Sequence, residues 1–318
     1  MANNLQSDLH HDKTMTAIVL TGYGDTDKLE LRRVPSVEPG PNEIKVRMVG
    51  ASINPVDWKL RSGDLQAMMP LEFPAILGRD AAGEVVAVGR GVTAFKVGAH
   101  VMGLVRGGYA EYVVAAVDAW AEVPMHMDLV DAGALPLVLL TAAQLIEEAI
   151  KPREGDIVLV TGGMGSVGRA AIFVAKSHGA KVWAGIRAAQ KANAKKLGAD
   201  GIVAIDDDAD IRNLPQLDSI ADTVGGPAVE RLYGKLKPHG TIGSVVGEPP
   251  GAKERGFVVH TMLTHPDAVR LAQLARAVMN EKFTIPIARK LPLSEAAEAQ
   301  GLAHKGAGGK VVLRGDGK

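Results

Sequence analysis

Residues 156–168 read Asp156-Ile157-Val158-Leu159-Val160-Thr161-Gly162-Gly163-Met164-Gly165-Ser166-Val167-Gly168, and this stretch decides the fold. Asp156–Thr161 is apolar without alternation, as suits a strand buried on both faces. Gly163, Gly165 and Gly168 then supply a G-x-G-x-x-G spacing. Behind them Val167, Ala170, Ala171, Val174 and Ala175 recur as the stripe of an amphipathic helix. A dinucleotide needs this order: a tight turn, close backbone approach to the pyrophosphate, and a helix N-terminus whose free N–H groups meet the phosphate charge. With 37 glycines in 318 residues the triplet alone says little, and the flanking strand and helix give it force. A nucleoside-triphosphate loop would place Lys and Ser or Thr after the last glycine, where Arg169-Ala170 stand. The competing reading is a glycine-rich β–α turn without a ligand.

Working outward, the next strand spans Lys181–Ile186 and ends on Arg187, 187 − 168 = 19 residues past the last glycine. An acidic side chain there would hold the ribose hydroxyls of NAD, whereas a cation suits a 2′-phosphate. Arg187, with Lys191 on the following helix (Gln190–Leu197), therefore points to NADPH. Lys195 and Lys196 read as a solvated face. Strands at Gly201–Ile205, Ser219–Val224 and Thr241–Val246, a helix at Ala228–Leu236 and a further run at Val258–Leu263 continue the alternation. The pattern is that of a doubly wound parallel sheet, an α/β fold. A helix from Pro266 to Asn280 and a β-type tail closing on Lys310–Leu313 follow.

Upstream, short β-type runs at Thr16–Leu20, Glu43–Val49, Gly83–Val88 and Tyr109–Ala115 are separated by Pro and Gly turns, the mark of a barrel or sandwich. The closing strand resembles this region. The expectation is a loose tail over 1–14, a first domain over 15–125 completed by 266–318, and a nucleotide domain over 126–265. Lys plus Arg and Asp plus Glu number 36 each, so no global positive field favours nucleic acid. The absence of cysteine excludes a disulfide scaffold, a cysteine zinc site and a thiol nucleophile. It fits a reducing compartment, and the expected location is cytoplasmic. No run of ~18 uninterrupted apolar residues suggests a membrane span, and residues 1–14 lack the apolar core of a secretory signal.

Several motifs occur in a fixed order: Ser52-Ile53-Asn54-Pro55-Val56-Asp57, Pro74-Ala75-Ile76-Leu77-Gly78-Arg79-Asp80-Ala81-Ala82-Gly83, Gly107-Gly108-Tyr109-Ala110-Glu111-Tyr112 and Leu135-Pro136-Leu137. The glycine loop, Leu197-Gly198-Ala199-Asp200, Asp222-Thr223-Val224-Gly225-Gly226 and Gly309-Lys310-Val311-Val312-Leu313 complete the set. From Met15 to Leu313 the chain resembles the medium-chain dehydrogenase/reductase superfamily, specifically its zinc-independent quinone oxidoreductase and alkenal (enone) reductase branch. The resemblance implies a GroES-like β-barrel catalytic domain, a Rossmann domain inserted within it, a cofactor in the cleft between them, and a homodimer. It also implies hydride transfer from NADPH to a small quinone, alkenal or enone. An NADPH-binding protein with vestigial catalysis is the alternative.

Zinc enzymes of the superfamily carry Cys at or near Asn54 and Gly-His-Glu where this chain has Gly78-Arg79-Asp80, so no metal is expected. The resemblance places Gly163, Gly165, Ser166, Val167, Gly168, Arg187 and Lys191 on the cofactor, with Thr141, Val246 and Gly247 lining its site. Asn54, Asp57 and Lys59 are the catalytic candidates. Asn54 reads either as an amide donor to cofactor or acceptor or as a local turn cap. Lys59 reads as a stabiliser of developing charge or as a surface residue, and Asp57 as an orienting group. Trp58 reads as pocket wall or core. Arg79 is expected to pair with Asp80 or Glu84, with an anionic substrate group as the other reading. Tyr109 and its neighbours are expected to be structural.

Overall fold

The computed structural model describes residues 13–315. Residues 1–12 of the expected tail lie outside these, and Thr14 already belongs to a strand. The first half holds β1 (Thr14–Leu20), β2 (Leu29–Pro35), β3 (Glu43–Ser52), β4 (Ala75–Ile76), β5 (Asp80–Val88), β6 (His100–Leu104), β7 (Tyr112–Ala116) and β8 (Trp120–Glu122). The second holds β9 (Ile157–Val160), β10 (Lys181–Ile186), β11 (Gly201–Ala204), β12 (Leu217–Asp222), β13 (Leu236–Ser244) and β14 (Val258–Thr261). β15 (Ile287–Pro292) and β16 (Lys310–Arg314) close the chain.

β9–β14 form a six-stranded parallel sheet in the order β11-β10-β9-β12-β13-β14. This is the 3-2-1-4-5-6 order of the Rossmann fold, and it puts the reversal at β9, whose carboxyl end carries the glycine loop. β9 sits between β10 and β12 with Val158, Leu159 and Val160 fully buried, which accounts for its unbroken apolar run. The remaining strands build a GroES-like unit: a small sheet β2-β1-β4 and a seven-stranded sheet β15-β16-β3-β5-β6-β8, with β7 also paired to β3. β16 pairs antiparallel with β3, Val312 opposite Ser52, so the last strand returns to the first half.

The helix Ala268–Met279 buries Leu271, Leu274 and Ala275 in the core that also holds the helix Pro136–Gln144 and the parallel sheet. Although it follows Pro266, it packs on the nucleotide side. The helical stretch Leu129–Ile150 is apolar enough by composition to cross a membrane, yet 78% of its most apolar window is buried inside the fold.

Two expected helices are interrupted. Gln190–Leu197 is split into short turns at Ala188–Gln190, Lys191–Ala194 and Lys195–Leu197. The Gln190 side chain folds back to accept from the Arg187 amide at 3.0 Å, tightening the first of them. Ala228–Leu236 becomes Pro227–Glu230 and a turn at Tyr233–Lys235 containing Gly234, a poor helix former. Leu236 already begins β13, which ends at Ser244, so Val246 lies past the strand.

Candidate active site

The glycine loop is shaped by one residue more than the sequence triplet contains. Gly162 takes φ +63°, the left-handed turn itself, and Gly163 donates its amide to Gly185 O at 2.9 Å. Gly165 donates to Gly162 O at 2.8 Å and caps the helix Ser166–Ser177 without any side-chain hydrogen bond. A Cβ on Gly168 would stand 2.2 Å from Gly162 O, so only glycine lets the helix start this close to the strand. The first-turn amides, Ser166 and Val167 among them, are thus presented where an anion can reach them.

Beyond the loop, Arg187 is exposed, and among the described residues its guanidinium has no ion-pair partner. Lys191 does have one, Asp210 at 2.6 Å, which raises the lysine above its usual pKa and commits it to a neighbouring turn. The carboxyl ends of β9, β12 and β13 are tied by Asp222. This buried carboxylate accepts from Thr161 Oγ1 at 2.8 Å, Ser244 Oγ at 3.1 Å and the amides of Val224 and Gly225. Past them Val246 is 40% exposed and Gly247 takes φ +113°, both at the open end of the sheet. Thr141 is buried, its hydroxyl 2.7 Å from that of Thr264. The glycine loop, Arg187, Val246 and Gly247 therefore all follow the carboxyl ends of strands in the parallel sheet, with Lys191 diverted.

The first half contributes a buried polar cluster. Asp80 lies at its centre: one oxygen accepts from Ser52 Oγ and from Asn54 Nδ2 (2.8 Å), the other from the Leu137 amide (2.7 Å). That last bond joins β5 to the helix Pro136–Gln144, across the junction between the two halves. Lys310 donates to Asn54 Oδ1 at 2.6 Å and to Ile53 O at 3.0 Å. Asp57 Oδ2 accepts from the Asn54 amide and from Tyr109 Oη, both at 2.8 Å, while its Oδ1 is buried without a partner. Burial pushes Asp57 up to about 6, with the nearby Asp80 charge adding to the shift and the Tyr109 hydrogen bond opposing it. Burial and then the Asp57 charge drive Tyr109 well above its usual value, and burial lowers Lys310.

These bonds correct several readings. The Asn54 side chain, expected as a donor to cofactor or acceptor, is engaged inside the cluster: besides Asp80, its amide nitrogen faces Ser52 O and Oγ at 3.3 Å, and its oxygen is held by Lys310. Its backbone, with Asp57 accepting from the Asn54 amide, starts the helix Pro55–Ser62, and its side chain belongs to the cluster. Trp58 stacks on His304 with ring centroids 5.3 Å apart, a packing role. Lys59 is half-buried and, among the described residues, has no ion-pair partner. Arg79 does not pair as expected: Glu84 takes Arg47 at 2.6 Å, and the oxygens of Asp80 are occupied. Arg79 stands in the bend that precedes β5, directly after Gly78 at φ +102°, outside the strand that carries Asp80 and Glu84.

Arg79 instead lines a cavity of about 320 Å³ together with Arg106 and a wall of Leu60, Met68, Met69 and Leu77. Burial, and then the like charge of Arg106, lower the Arg79 pKa. Sequence reading did not single out Asp80 as a hub, Lys310 as its counter-charge, Gly162 as the turn or Arg106 as a lining residue. Pairing of Lys310 with Asn54 bridges 256 residues and leaves no local signal.

Residues 40–125 match the family model of the alcohol dehydrogenase GroES-like domain, and residues 197–313 match that of the zinc-binding dehydrogenases. A chloroplast envelope quinone oxidoreductase homolog of Arabidopsis thaliana is 31% identical, covering 95% of this chain and 98% of its own length. A quinone oxidoreductase of Sus scrofa is 28% identical with the same coverage, 95% and 98%. The solved quinone oxidoreductase of Coxiella burnetii superposes with a TM-score of 0.84 at 31% identity, over 95% of this chain and 99% of that one.

Proposed function

The chain belongs to the medium-chain dehydrogenase/reductase superfamily, in its quinone oxidoreductase branch, and on that premise we propose that it is a zinc-independent, NADPH-dependent reductase of small quinones or α,β-unsaturated carbonyl compounds. The family makes it an oxidoreductase that uses a nicotinamide cofactor and a small-molecule acceptor. The observation that supports the finer reading is Arg187, a guanidinium just past the end of β10 without an ion-pair partner among the described residues, beside a glycine cradle suited to pyrophosphate. In this reading Gly163, Gly165, Ser166, Val167 and Gly168 hold the pyrophosphate and Arg187 the 2′-phosphate, while Thr141, Val246 and Gly247 border the nicotinamide. When bound, the reduced cofactor supplies hydride.

The residues of the first half favour an activated acceptor over a metal-bound alcohol. A zinc ion does not fit: Arg79 and Arg106 bring positive charge where a dication would sit, and Asn54 is spent inside the cluster. The acceptor's carbonyl oxygen gains negative charge as hydride arrives, and the protein's task is to place donors there and exclude water. Lys59, with its unpaired ammonium, is the candidate donor. Asn54 and Asp57 act as positioning residues, fixing the start of the helix that carries Lys59. A homodimer and a cytoplasmic setting extend the proposal without entering the chemistry.

The test is cofactor oxidation with NADPH and NADH in parallel against a panel of quinones and enones. NADPH is expected to be favoured, and Arg187→Gln to lower that preference about 10-fold, the scale of one charge-assisted hydrogen bond. A preference for NADH would remove Arg187 from the reading. Tight NADPH binding without turnover on any acceptor would favour a binding protein instead.

A further inference from the structure

We infer that the acceptor carries an acidic group, a carboxylate in the first instance, which docks on Arg79 and Arg106 inside the cavity beside β4 and β5. The inference rests on the reductase reading and narrows its substrate class. The cavity is large enough for a small conjugated acid. Its lining is apolar apart from these two side chains, and both are cations. Val105 donates its amide to Arg79 O at 2.9 Å, which sets Arg106 beside Arg79 by backbone pairing.

Nothing within the described residues neutralises this pair by contact. The charges of Asp57 and Asp80 help hold Arg79 protonated, but neither forms an ion pair with it: both Asp80 oxygens and Asp57 Oδ2 are taken by Ser52, Asn54, Tyr109 and the Leu137 amide, and Asp57 Oδ1 makes no hydrogen bond among the described residues. Arg61 shows what this fold does with a structural guanidinium. It is buried, and it donates to Gln300 Oε1 at 2.7 Å and Gly24 O at 2.6 Å, with Asp25 3.8 Å away. Arg79, half-buried, has no such partners among the described residues and shares the lining of an open cavity with a like charge. Two guanidiniums so arranged offer paired N–H donors to the two oxygens of a carboxylate, and a partly dry wall strengthens the contact. An anion there relieves both the repulsion and the unmet donors.

The experiment uses the full-length protein with NADPH and a matched pair of acceptors, a 4-oxo-2-enoic acid and its methyl ester, with a neutral quinone as reference. The acid is expected to exceed the ester in kcat/KM by about 10-fold or more, and Arg79→Gln or Arg106→Gln to bring that ratio close to one. Because only the ratio is read, a general loss of activity does not confuse it, and the exposed Arg106 gives a variant that keeps the fold. Calorimetry with the saturated 4-oxo acid, which lacks the reducible double bond, reads the same site without turnover. Binding to the wild type and its loss in both variants supports the site even if no acceptor is reduced, in which case the reductase reading alone falls. Turnover of the neutral quinone with acid and ester equal, or a ratio unmoved by both substitutions, overturns the anionic subsite and leaves the reductase reading intact.

Discussion

The glycine loop and the Asp80 cluster are both tightly determined, and they are built from opposite materials. At the loop the working parts are backbone amides, and side chains are excluded: Gly168 has 2.2 Å between a Cβ and a carbonyl oxygen. At the cluster the working parts are side chains, with Ser52, Asn54, Asp57, Asp80, Tyr109 and Lys310 closed on one another in a buried pocket. A backbone site can be written in thirteen consecutive residues. A side-chain site must be gathered from three strands, a helix and a loop, and its members carry no common spacing. The two should therefore fail differently: the cluster through stability, the loop through ligand affinity.

Four substitutions sharpen that contrast. Asp80→Ala removes the acceptor of three hydrogen bonds and leaves Lys310 with less counter-charge, so urea unfolding should show a loss of about 4 kcal/mol. A cost below about 1 kcal/mol would mean that the cluster does not hold the two halves together.

The second test uses pH. Asp57 sits at about 6 in the folded chain against 3.8 ordinarily, so the folded state binds its proton more tightly than the unfolded one. Its contribution is fully present below pH 3.8 and is lost as pH rises through 6, roughly 3 kcal/mol in all. Asp57→Asn should cancel that part of the pH dependence, seen as a difference between the two stability curves from pH 4 to 7. Parallel curves would contradict the burial argument. Smallest in free energy is Gly168→Ala, which should weaken NADPH binding about 100-fold by titration while shifting unfolding by far less than Asp80→Ala does. Gly165→Ala, whose Cβ would clear Gly162 O at 3.2 Å, should be milder. If Gly168→Ala instead unfolded the chain and left affinity intact, the division between the two regions would collapse.

The same division explains what could be read beforehand. The central strand, the glycine loop, its helix and the cation 19 residues on were legible because parallel strands and anion cradles leave contiguous signals. The parallel sheet was read from the alternation around them, and the return of β16 from its likeness to the first region. Strands β2, β6, β8 and β15 and the helix Ala296–Lys305 were not resolved, being short or half-exposed without clean alternation. Asn54, Asp57 and Tyr109 were noticed singly, but their mutual bonds depend on tertiary packing. Arg79 was given partners by nearness in sequence, but it stands in a bend outside β5, and Arg47 and the buried cluster take the two carboxylates instead.

The bond between Lys310 and Asn54 also sets an order of events during synthesis. The two residues are 256 apart, so at about 5–20 residues per second the lysine leaves the ribosome roughly 13–50 s after the asparagine it will hold. Throughout that interval β3 lacks β16 along one edge, and Asp80 lacks the ammonium that balances it. The inserted nucleotide domain has every strand of its own sheet in hand earlier, since β14 ends at Thr261. The half that begins the chain is thus the half that must wait, and the newborn protein passes through a stage in which a finished cofactor cradle is attached to an unfinished barrel.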